Sequence, residues 1–114
     1  MATDCLFCQI IAGDSPATIV HRTDTVTAIR DINPAAPTHI LVLPNRHLAS
    51  VAEAQPVDSA LLGELMLTAA ALARQAGLGS GYRLVVNTGP DGGQSVSHLH
   101  VHLLGGRGLR WPPG

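Results

Sequence analysis

Half of the histidines in this chain lie on one short apolar run, where they could act together. His98, His100 and His102 are three of the six histidines and alternate within residues 96–104. In an extended chain successive side chains point to opposite faces, so these three imidazoles are expected on one side. The leucine and valine side chains between them share the other side and are expected in the core. Histidine is the side chain most easily tuned near neutral pH, so this face predicts chemistry.

The spacing of the three imidazoles does not suit a single metal ion. On a strand, positions i and i+4 lie about 13 Å apart. Zinc–nitrogen bonds are about 2 Å long, so all three rings cannot reach one ion without breaking the strand. A phosphoryl group suits them better, because one imidazole nitrogen can attack phosphorus while its neighbours stabilise the developing charge.

A glycine-rich stretch, NTGPDGGQS (residues 87–95), leads directly into these histidines. Glycines allow a ligand to approach the backbone closely, and backbone N–H groups can bind anionic oxygens. A plain hairpin loop uses the same residue types, and the loop taken alone favours that interpretation.

The elements that must position these residues follow from periodicity and turn signals. A short apolar helix is expected over residues 5–12, and a longer one from Asp58 or Ser59 to Gly77. The longer helix has an apolar face that is expected in the core: Leu61, Leu62, Leu65, Ala69, Leu72 and Ala73. Strands are expected over residues 18–22, 25–31, 38–44, 81–87 and 97–104. This order predicts an α+β fold with an antiparallel sheet.

Composition narrows the classes of function. With 114 residues, 46% hydrophobic and 3% aromatic, the chain is expected to form one domain, 1–114, with an aliphatic core. A net charge of -1 predicts no electrostatic grip on nucleic acid or membrane. No hydrophobic run approaches a membrane span and no basic leader is seen, which predicts a soluble, cytoplasmic protein. The chain has no lysine, which excludes Schiff-base chemistry and a P-loop.

The two cysteines, Cys5 and Cys8, form a C-x-x-C pair. In a cytosolic chain such a pair indicates redox chemistry, half of a metal site, or neither. A thioredoxin-type motif follows a strand, and four residues leave no room for one, so redox catalysis is the weakest of the three.

The run HLHVHLL resembles the His-x-His-x-His-x-x motif, with apolar x, of the histidine triad (HIT) hydrolases and transferases. The similarity extends from LFCQIIAGDSP through DINPAAPTHILVLPNRH and NTGPDGGQSVSHLHVHLLGG to the end. The last ten residues, GGRGLRWPPG, are typical of the nucleotide-binding branch. The resemblance implies an HIT-like, dimeric α+β domain with five antiparallel strands, one long helix and one short helix.

This resemblance also implies a reaction and a nucleophile. His100 would attack the α-phosphorus of a purine nucleoside 5′-phosphoramidate, expel the amine and carry the nucleotide until water releases it. His102 would bind the non-bridging oxygens with His39 close behind, and Ser95 would hydrogen-bond the leaving group. No catalytic cofactor is implied, because the imidazoles and the turn neutralise the charge.

The binding residues implied by the resemblance belong to an AMP-like purine nucleotide. They are Gly93, Gln94 and Ser95 for the phosphate, Asn87 for the ribose and phosphate edge, Asp31 for the ribose hydroxyls, and Phe7, Ile10 and Ile32 for the base. The last three are also ordinary core residues by type.

A structural zinc ion is a further expectation. The C-x-x-C pair offers two thiolates, and two histidines from later segments would complete a tetrahedron. Some relatives hold zinc at the positions of Cys5, Cys8, His47 and His98. The alternative is that both cysteines are merely small apolar residues on a helix.

The tail, residues 105–114, carries the only tryptophan, Trp111, followed by two prolines. The resemblance implies a homodimer whose tails cross the interface near the partner's active site and help select the leaving group. A frayed terminus is the alternative.

Two other functions stay open at this point. One is hydrolysis of dinucleoside polyphosphates, against which the WPPG ending argues; the other is a nucleotide-sensing or scaffold role with incidental hydrolysis. Ser97, beside the triad, departs from bulkier residues in many relatives and affects the fine shape of the site.

Overall fold

A five-stranded antiparallel sheet carries one long and one short α-helix. The computed structural model describes residues 4–114, so residues 1–3 of the expected domain lie outside the described range. The strands follow the order β1-β2-β3-β5-β4 across the sheet. Along the chain the helices and strands are α1 (Leu6–Ala12), β1 (Ile19–Arg22), β2 (Val26–Arg30), β3 (Thr38–Pro44), α2 (Ser59–Gln75), β4 (Tyr82–Val86) and β5 (Val101–Gly105), with 3₁₀ turns at Val51–Glu53 and Pro56–Asp58 before α2. The expected α+β class, with five antiparallel strands, one long helix and one short helix, is confirmed.

Strand β3 lies at the centre of the sheet because its apolar side chains can be covered on both faces. Ile40 and Val42 belong to the larger core, which includes α2. Leu41 and Leu43 point the other way, into a smaller core with α1. The sheet therefore has an α2 side and an α1 side. His102 pairs with Leu41 across the β3–β5 ladder, which places this histidine on the α1 side.

Helix α2 packs its predicted face on the sheet. Four of the six predicted positions are buried and the other two are partly buried against the same core: Leu65, Ala69, Leu72 and Ala73, then Leu61 and Leu62. On length and composition alone the 20 residues Pro56–Gln75 would suit a membrane span, so the expectation that no run approaches that length was wrong. The burial of Leu65 and Leu72 against the sheet identifies α2 as the core helix of the domain.

The last strand is shorter than predicted, since β5 begins at Val101 and not at residue 97. The β3–β5 ladder ends at the pair Val42–Val101. Two residues further on, β3 ends at Pro44, which has no N–H to donate to the ladder. Leu99 instead donates its N–H to the carbonyl of Leu48 at 2.7 Å. Residues 96–100 are therefore irregular, although they remain tightly held.

Helix α1 positions both cysteines at its start. Cys5 is the N-cap, and its sulfur accepts the N–H of Cys8 at 3.4 Å. The helix stops where predicted, because Gly13 takes a left-handed conformation with φ of 85° and its N–H bonds back to Gln9 and Ile10.

Candidate functional site

The histidine rings gather on the α1 side of the sheet, next to a ring from α1 itself. His100 and His102 have ring centroids 4.9 Å apart. Phe7 meets His100 edge-on at 5.1 Å and His98 at 5.9 Å. The side chains that alternate with the histidines are buried in the larger core on the opposite side. The structure thus brings the three predicted imidazoles to one face, even though two of them precede the strand.

His100 has its protonation state fixed at one nitrogen. Its Nδ1 lies 2.7 Å from the backbone carbonyl oxygen of His98, and a carbonyl can only accept a hydrogen bond. Nδ1 therefore carries the hydrogen, and the lone pair of the neutral ring is on Nε2. Within residues 4–114 no hydrogen bond occupies this Nε2. The buried ring consequently presents one oriented, free nucleophilic nitrogen.

His39 and His102 form a directed chain of hydrogen bonds beside it. The N–H of Ala35 donates to His39 Nδ1 at 3.0 Å, so the hydrogen of a neutral His39 is on Nε2. That Nε2 lies 2.9 Å from His102 Nδ1, which accepts the bond. His102 must then carry its own hydrogen on Nε2. The chain ends in an N–H donor beside the free nitrogen of His100.

Burial keeps both members of this pair neutral. Desolvation lowers the pKa of His39 and outweighs the opposing influence of the Asp31 carboxylate. The pKa of His102 falls to about 4, because its burial and the neighbouring rings of His100 and His39 all disfavour a charge. Although His39 Nε2 also lies 3.5 Å from Asp31 Oδ2, the shorter contact to His102 takes its hydrogen. At neutral pH the contact with Asp31 is therefore not an ion pair.

These three groups also lie close enough to be considered as metal ligands. Ligand atoms of Asp31, His39 and His102 all fall within 4.8 Å of one another. The Ala35 bond leaves His39 Nε2 protonated, so that nitrogen has no lone pair for a metal. The group is therefore a hydrogen-bond chain.

Asp31 lies at the end of β2 with part of its carboxylate exposed. Its Oδ1 accepts the N–H of Asn33 at 2.8 Å, which fixes the side chain. The side chain is 20% exposed, so the carboxylate retains acceptor capacity toward a ligand.

The glycine-rich turn is held by its own hydrogen bonds. Gly93 donates its N–H to Pro90 and Gln94 donates its N–H to Gly89, each at 3.1 Å. The Gln94 side chain accepts from the Gly89 N–H at 3.0 Å and donates to the Ala49 and Val96 carbonyls at 2.7 and 3.0 Å. Gly93 and Gln94 therefore shape the turn, and their N–H groups are not free for a phosphate.

Ser95 and Asn87 contribute free polar groups to this region. Ser95 is exposed and Asn87 is half-buried. Neither side chain has a hydrogen-bond partner in the described part of the chain. The tightest point of the turn is Gly92, where a Cβ would lie 2.4 Å from the Thr88 carbonyl oxygen.

The residues expected to hold a base are placed differently from one another. Phe7 and Ile10 are buried in the smaller core. Phe7 reaches the site through its contact with His100. Ile32 is 89% exposed and is the one of the three whose side chain is open to a ligand.

Two cysteines and two histidines form a compact group, the Cys–His cluster (Cys5, Cys8, His47 and His98). Cys5 Sγ lies 3.5 Å from His98 Nδ1, and Cys8 Sγ lies 3.6 Å from the same atom. His47 Nδ1 lies 3.3 Å from Cys8 Sγ and 3.2 Å from His98 Nδ1. Zinc bonds of about 2.3 Å to sulfur and 2.0–2.1 Å to nitrogen give tetrahedral edges of about 3.3–3.8 Å. The four ligand atoms thus already match a zinc tetrahedron.

His98 is oriented as a metal ligand by the rest of the fold. Its Nε2 donates to the carbonyl oxygen of Pro44 at 2.8 Å, which leaves the lone pair on Nδ1, facing the cluster. The ring is fully buried. Burial and the adjacent Cys5 sulfur raise the pKa of the Cys8 thiol to about 11, so an entering metal must displace its proton.

Asp58, one of the two residues expected to cap α2, is its N-cap residue, but its side chain makes no capping bond to the helix. Its Oδ2 accepts the Gln55 N–H at 2.8 Å instead, and its Oδ1 accepts from Arg46. These hydrogen bonds hold the pKa of Asp58 below its usual value. The bond also fixes the segment that precedes His47. The Gln55-x-x-Asp58 spacing of a capping box was the signal that indicates this role.

Known proteins share both the sequence and the fold. Residues 12–109 match the HIT domain. The 14 kDa zinc-binding protein of Zea mays is 50% identical over 111 residues, which cover 96% of this chain and 87% of that protein. A HIT family hydrolase from Legionella pneumophila has a TM-score of 0.95 and 49% identity, over 96% of this chain and 99% of that one. The histidine triad nucleotide-binding protein from Candida albicans has a TM-score of 0.81 and 28% identity, over 95% and 82% of the two chains.

The buried neutral state of His102 predicts a pH-dependent stability. Its pKa is lowered from 6.5 to about 4 on folding, so between these values the unfolded chain binds a proton that the folded chain does not. The free energy of unfolding should therefore decrease as the pH falls from 6.5 toward 4. Urea unfolding over this range measures the free energy of unfolding, and ¹⁵N NMR of the histidine rings measures the pKa of His102 in the folded protein.

The variant His102→Asn serves as the control, because it removes the titrating ring and should flatten part of this slope. A His102 ring that takes up its proton near pH 6.5 in the folded protein would contradict the buried neutral state.

Proposed function

This chain belongs to the HIT domain family, and from that membership we propose that it is a nucleotide-binding hydrolase for purine nucleoside 5′-phosphoramidates. The reaction passes through a nucleotidyl-histidine at His100. The observation that carries the proposal is the hydrogen bond from His100 Nδ1 to the His98 carbonyl, which leaves Nε2 free to attack. The Legionella relative is called a hydrolase and the Candida relative a nucleotide-binding protein.

In the first step His100 Nε2 forms a bond to the α-phosphorus while the bond from phosphorus to the amine nitrogen breaks. The amine takes up a proton from solvent as it leaves, and the exposed Ser95 hydroxyl is assigned to hydrogen-bond the leaving nitrogen. The ring becomes positively charged when it carries the nucleotide, and the His98 carbonyl stabilises that charge through the Nδ1–H bond. In the second step water attacks phosphorus and the bond from phosphorus to His100 Nε2 breaks. The electron pair of that bond returns to Nε2 as its lone pair, and the proton of the attacking water goes to solvent.

Charge on the phosphoryl oxygens is stabilised chiefly by His102. The chain from Ala35 through His39 leaves His102 with an N–H at Nε2, and this donor is fixed before substrate arrives. The turn contributes less than its glycine content suggests, because the Gly93 and Gln94 N–H groups are already used. We assign no catalytic cofactor to this step.

The nucleoside is held by groups around this centre. The partly exposed Asp31 carboxylate accepts the ribose hydroxyls, and the unpartnered Asn87 side chain lies on the phosphate and ribose edge. Ile32 and the edge of Phe7 contact the purine, while Ile10 supports Phe7 from within the smaller core. Phosphoramidates are preferred over dinucleoside polyphosphates on the evidence of the WPPG ending.

A nucleophile at His100 predicts a trappable adduct. With an adenosine 5′-phosphoramidate, quenched protein should carry one AMP on His100 by mass spectrometry. His100→Ala should lose the adduct and turnover while still binding AMP, because the nucleotide contacts lie on other residues. Parallel assays with diadenosine polyphosphates separate the two hydrolase functions.

His21→Ala is the matched control, since His21 lies on edge strand β1, outside the site. An adduct at another residue, or an active His100→Ala variant, would contradict this mechanism. AMP binding without any turnover would favour the sensing role.

We further propose that the Cys–His cluster holds structural zinc. The separations of its ligand atoms and the preset lone pair of His98 support this assignment, as does the name of the maize relative. Both cysteines are free thiols, as zinc ligation requires. Free thiols persist in a reducing compartment, which favours the cytoplasm. Zinc there would crosslink α1, the His47 segment and His98, which lies two residues before the nucleophile.

Zinc binding should be stoichiometric and sensitive to acid. Protein purified without chelator should contain one zinc per chain by elemental analysis, and chelation should lower its melting temperature. Zinc should be lost as the pH falls, because protons compete for the thiolates and imidazoles. His47→Ala should lose the metal and His21→Ala should retain it. Protein that contains no zinc, and whose melting temperature does not change on chelation, would contradict the zinc site.

We also propose a homodimer with the tail at its interface. Strand β4 lies at the edge of the sheet and exposes its outer N–H and C=O groups. Tyr82 on this strand is 42% exposed, and Trp111 in the tail is 82% exposed. Arg83 donates a hydrogen bond to the Arg110 carbonyl at 2.6 Å, and so holds the tail next to Trp111. A second copy would cover this apolar surface.

Light scattering should therefore give twice the chain mass. Deleting residues 108–114 keeps β5 intact and should change the ranking of phosphoramidate substrates while sparing adduct formation on His100. A monomeric protein, or an unchanged ranking after truncation, would contradict the role of the tail.

A further inference from the structure

His98 is a member of the Cys–His cluster, and its backbone carbonyl also contacts the nucleophile, His100. Its ring nitrogens bind the cluster and the Pro44 carbonyl, and its backbone carbonyl accepts the Nδ1–H of His100 at 2.7 Å. Its own N–H donates to Val96 at 2.9 Å. Every polar atom of this buried residue is therefore engaged, and its ring and its carbonyl cannot move independently.

The segment that carries His98 is held by few backbone hydrogen bonds. Residues 96–100 lie outside the β-ladder, and Leu99 is held by the burial of its side chain and by one backbone bond, to Leu48. The ring of His98 is thus one anchor of the carbonyl that orients His100. In the cluster the sulfur atoms of Cys5 and Cys8 are the ligands from α1 that close around this ring.

One of the two sulfurs can be reached from solvent. A cavity of about 490 Å³ is lined by Cys5 and His47 on one side and by Ser95, Val96 and Ser97 on the other. Cys5 is half-buried. Its sulfur lies within 4.8 Å of Cys8 Sγ, and C-x-x-C pairs at the start of a helix form disulfides.

We propose that the Cys5–Cys8 pair is a thiol switch on the nucleophile, closed by small disulfide oxidants. Cys5 attacks one sulfur of the oxidant and expels a thiolate, forming a mixed disulfide. Cys8 then attacks the Cys5 sulfur of that intermediate and expels the second thiolate. Both released thiolates take up a proton, from the cysteine thiols of the metal-free protein or from solvent when the cysteines hold zinc. The protein loses two electrons, and the oxidant is reduced to two thiols.

The oxidised pair is no longer a pair of metal ligands. With two of four ligands lost, the cluster releases its ion. The His98 ring then loses its link to α1. The His98 carbonyl then no longer holds the His100 ring in one orientation. Loss of partners that orient a functional group costs about 10–100-fold in activity, and a decrease of that size is expected for His100 nucleotidylation.

The experiment treats the zinc-loaded protein with oxidised glutathione and uses three readouts. Mass spectrometry should show the loss of two hydrogens without a glutathione adduct; since the chain has two cysteines, the bond is Cys5–Cys8. A colorimetric chelator should register one zinc released per chain. In ¹⁵N NMR, the His100 ring should lose its single Nδ1–H tautomer while the His21 ring stays unchanged, and reductant with zinc should reverse all three.

The variant Cys5→Ala/Cys8→Ala should give one His100 spectrum whether or not oxidant is added, because it has no thiol to oxidise. Stable glutathione adducts without an internal disulfide would overturn the switch. Zinc release with an unaltered His100 tautomer would overturn the link through His98. The nucleotidylation rate rests on the proposed function, but the mass, zinc and NMR readouts do not, so failure of the hydrolase assignment is distinguishable.

Discussion

The hydrogen bond from His100 to the His98 carbonyl is the contact on which the rest of the site depends. A neutral imidazole has one lone pair, and the partner at one nitrogen decides where that lone pair lies. A carbonyl accepts and never donates, so this contact removes the ambiguity at His100. The surrounding contacts, from the Cys–His cluster to the Leu99–Leu48 bond, act by holding that carbonyl in place.

Pro44 makes this arrangement compatible with the sheet. Because proline has no N–H, the β3–β5 ladder stops before the chain reaches His98 and His100. The Pro44 carbonyl is then available to the His98 ring, and this bond turns the ring's lone pair toward the cysteines. Had the ladder continued, the backbone of residues 97–100 would have been committed to strand pairing. The end of one strand thus orients the His98 ring toward the cysteines and leaves the His98 carbonyl to the His100 ring.

Burial and the direction of the hydrogen bonds act together in the pair formed by His39 and His102. Desolvation keeps His39 and His102 neutral, and neutrality is what gives each ring one donor and one acceptor. The Ala35 N–H then sets the direction of the whole chain. If His102 were charged, its Nδ1 would be a donor and could no longer accept the bond from His39. If His39 were charged, its Nδ1 could no longer accept the Ala35 N–H. A nearby carboxylate, Asp31, opposes this effect, but the desolvation of His39 outweighs it.

The sequence by itself determined the elements and the residue types of the site. The alternation of three histidines, the C-x-x-C pair and the apolar face of α2 are local patterns in neighbouring residues. The histidines and the apolar positions of α2 lie on the faces that their periodicity predicts. The tertiary structure alone decided which atoms are free. The bonds that fix His102 and His98 come from residues 63 and 54 positions away, and those that use up Gln94 come partly from Ala49, 45 positions away. Periodicity carries no information about partners so distant in the chain, whereas the position of a proton or a lone pair depends on nothing else.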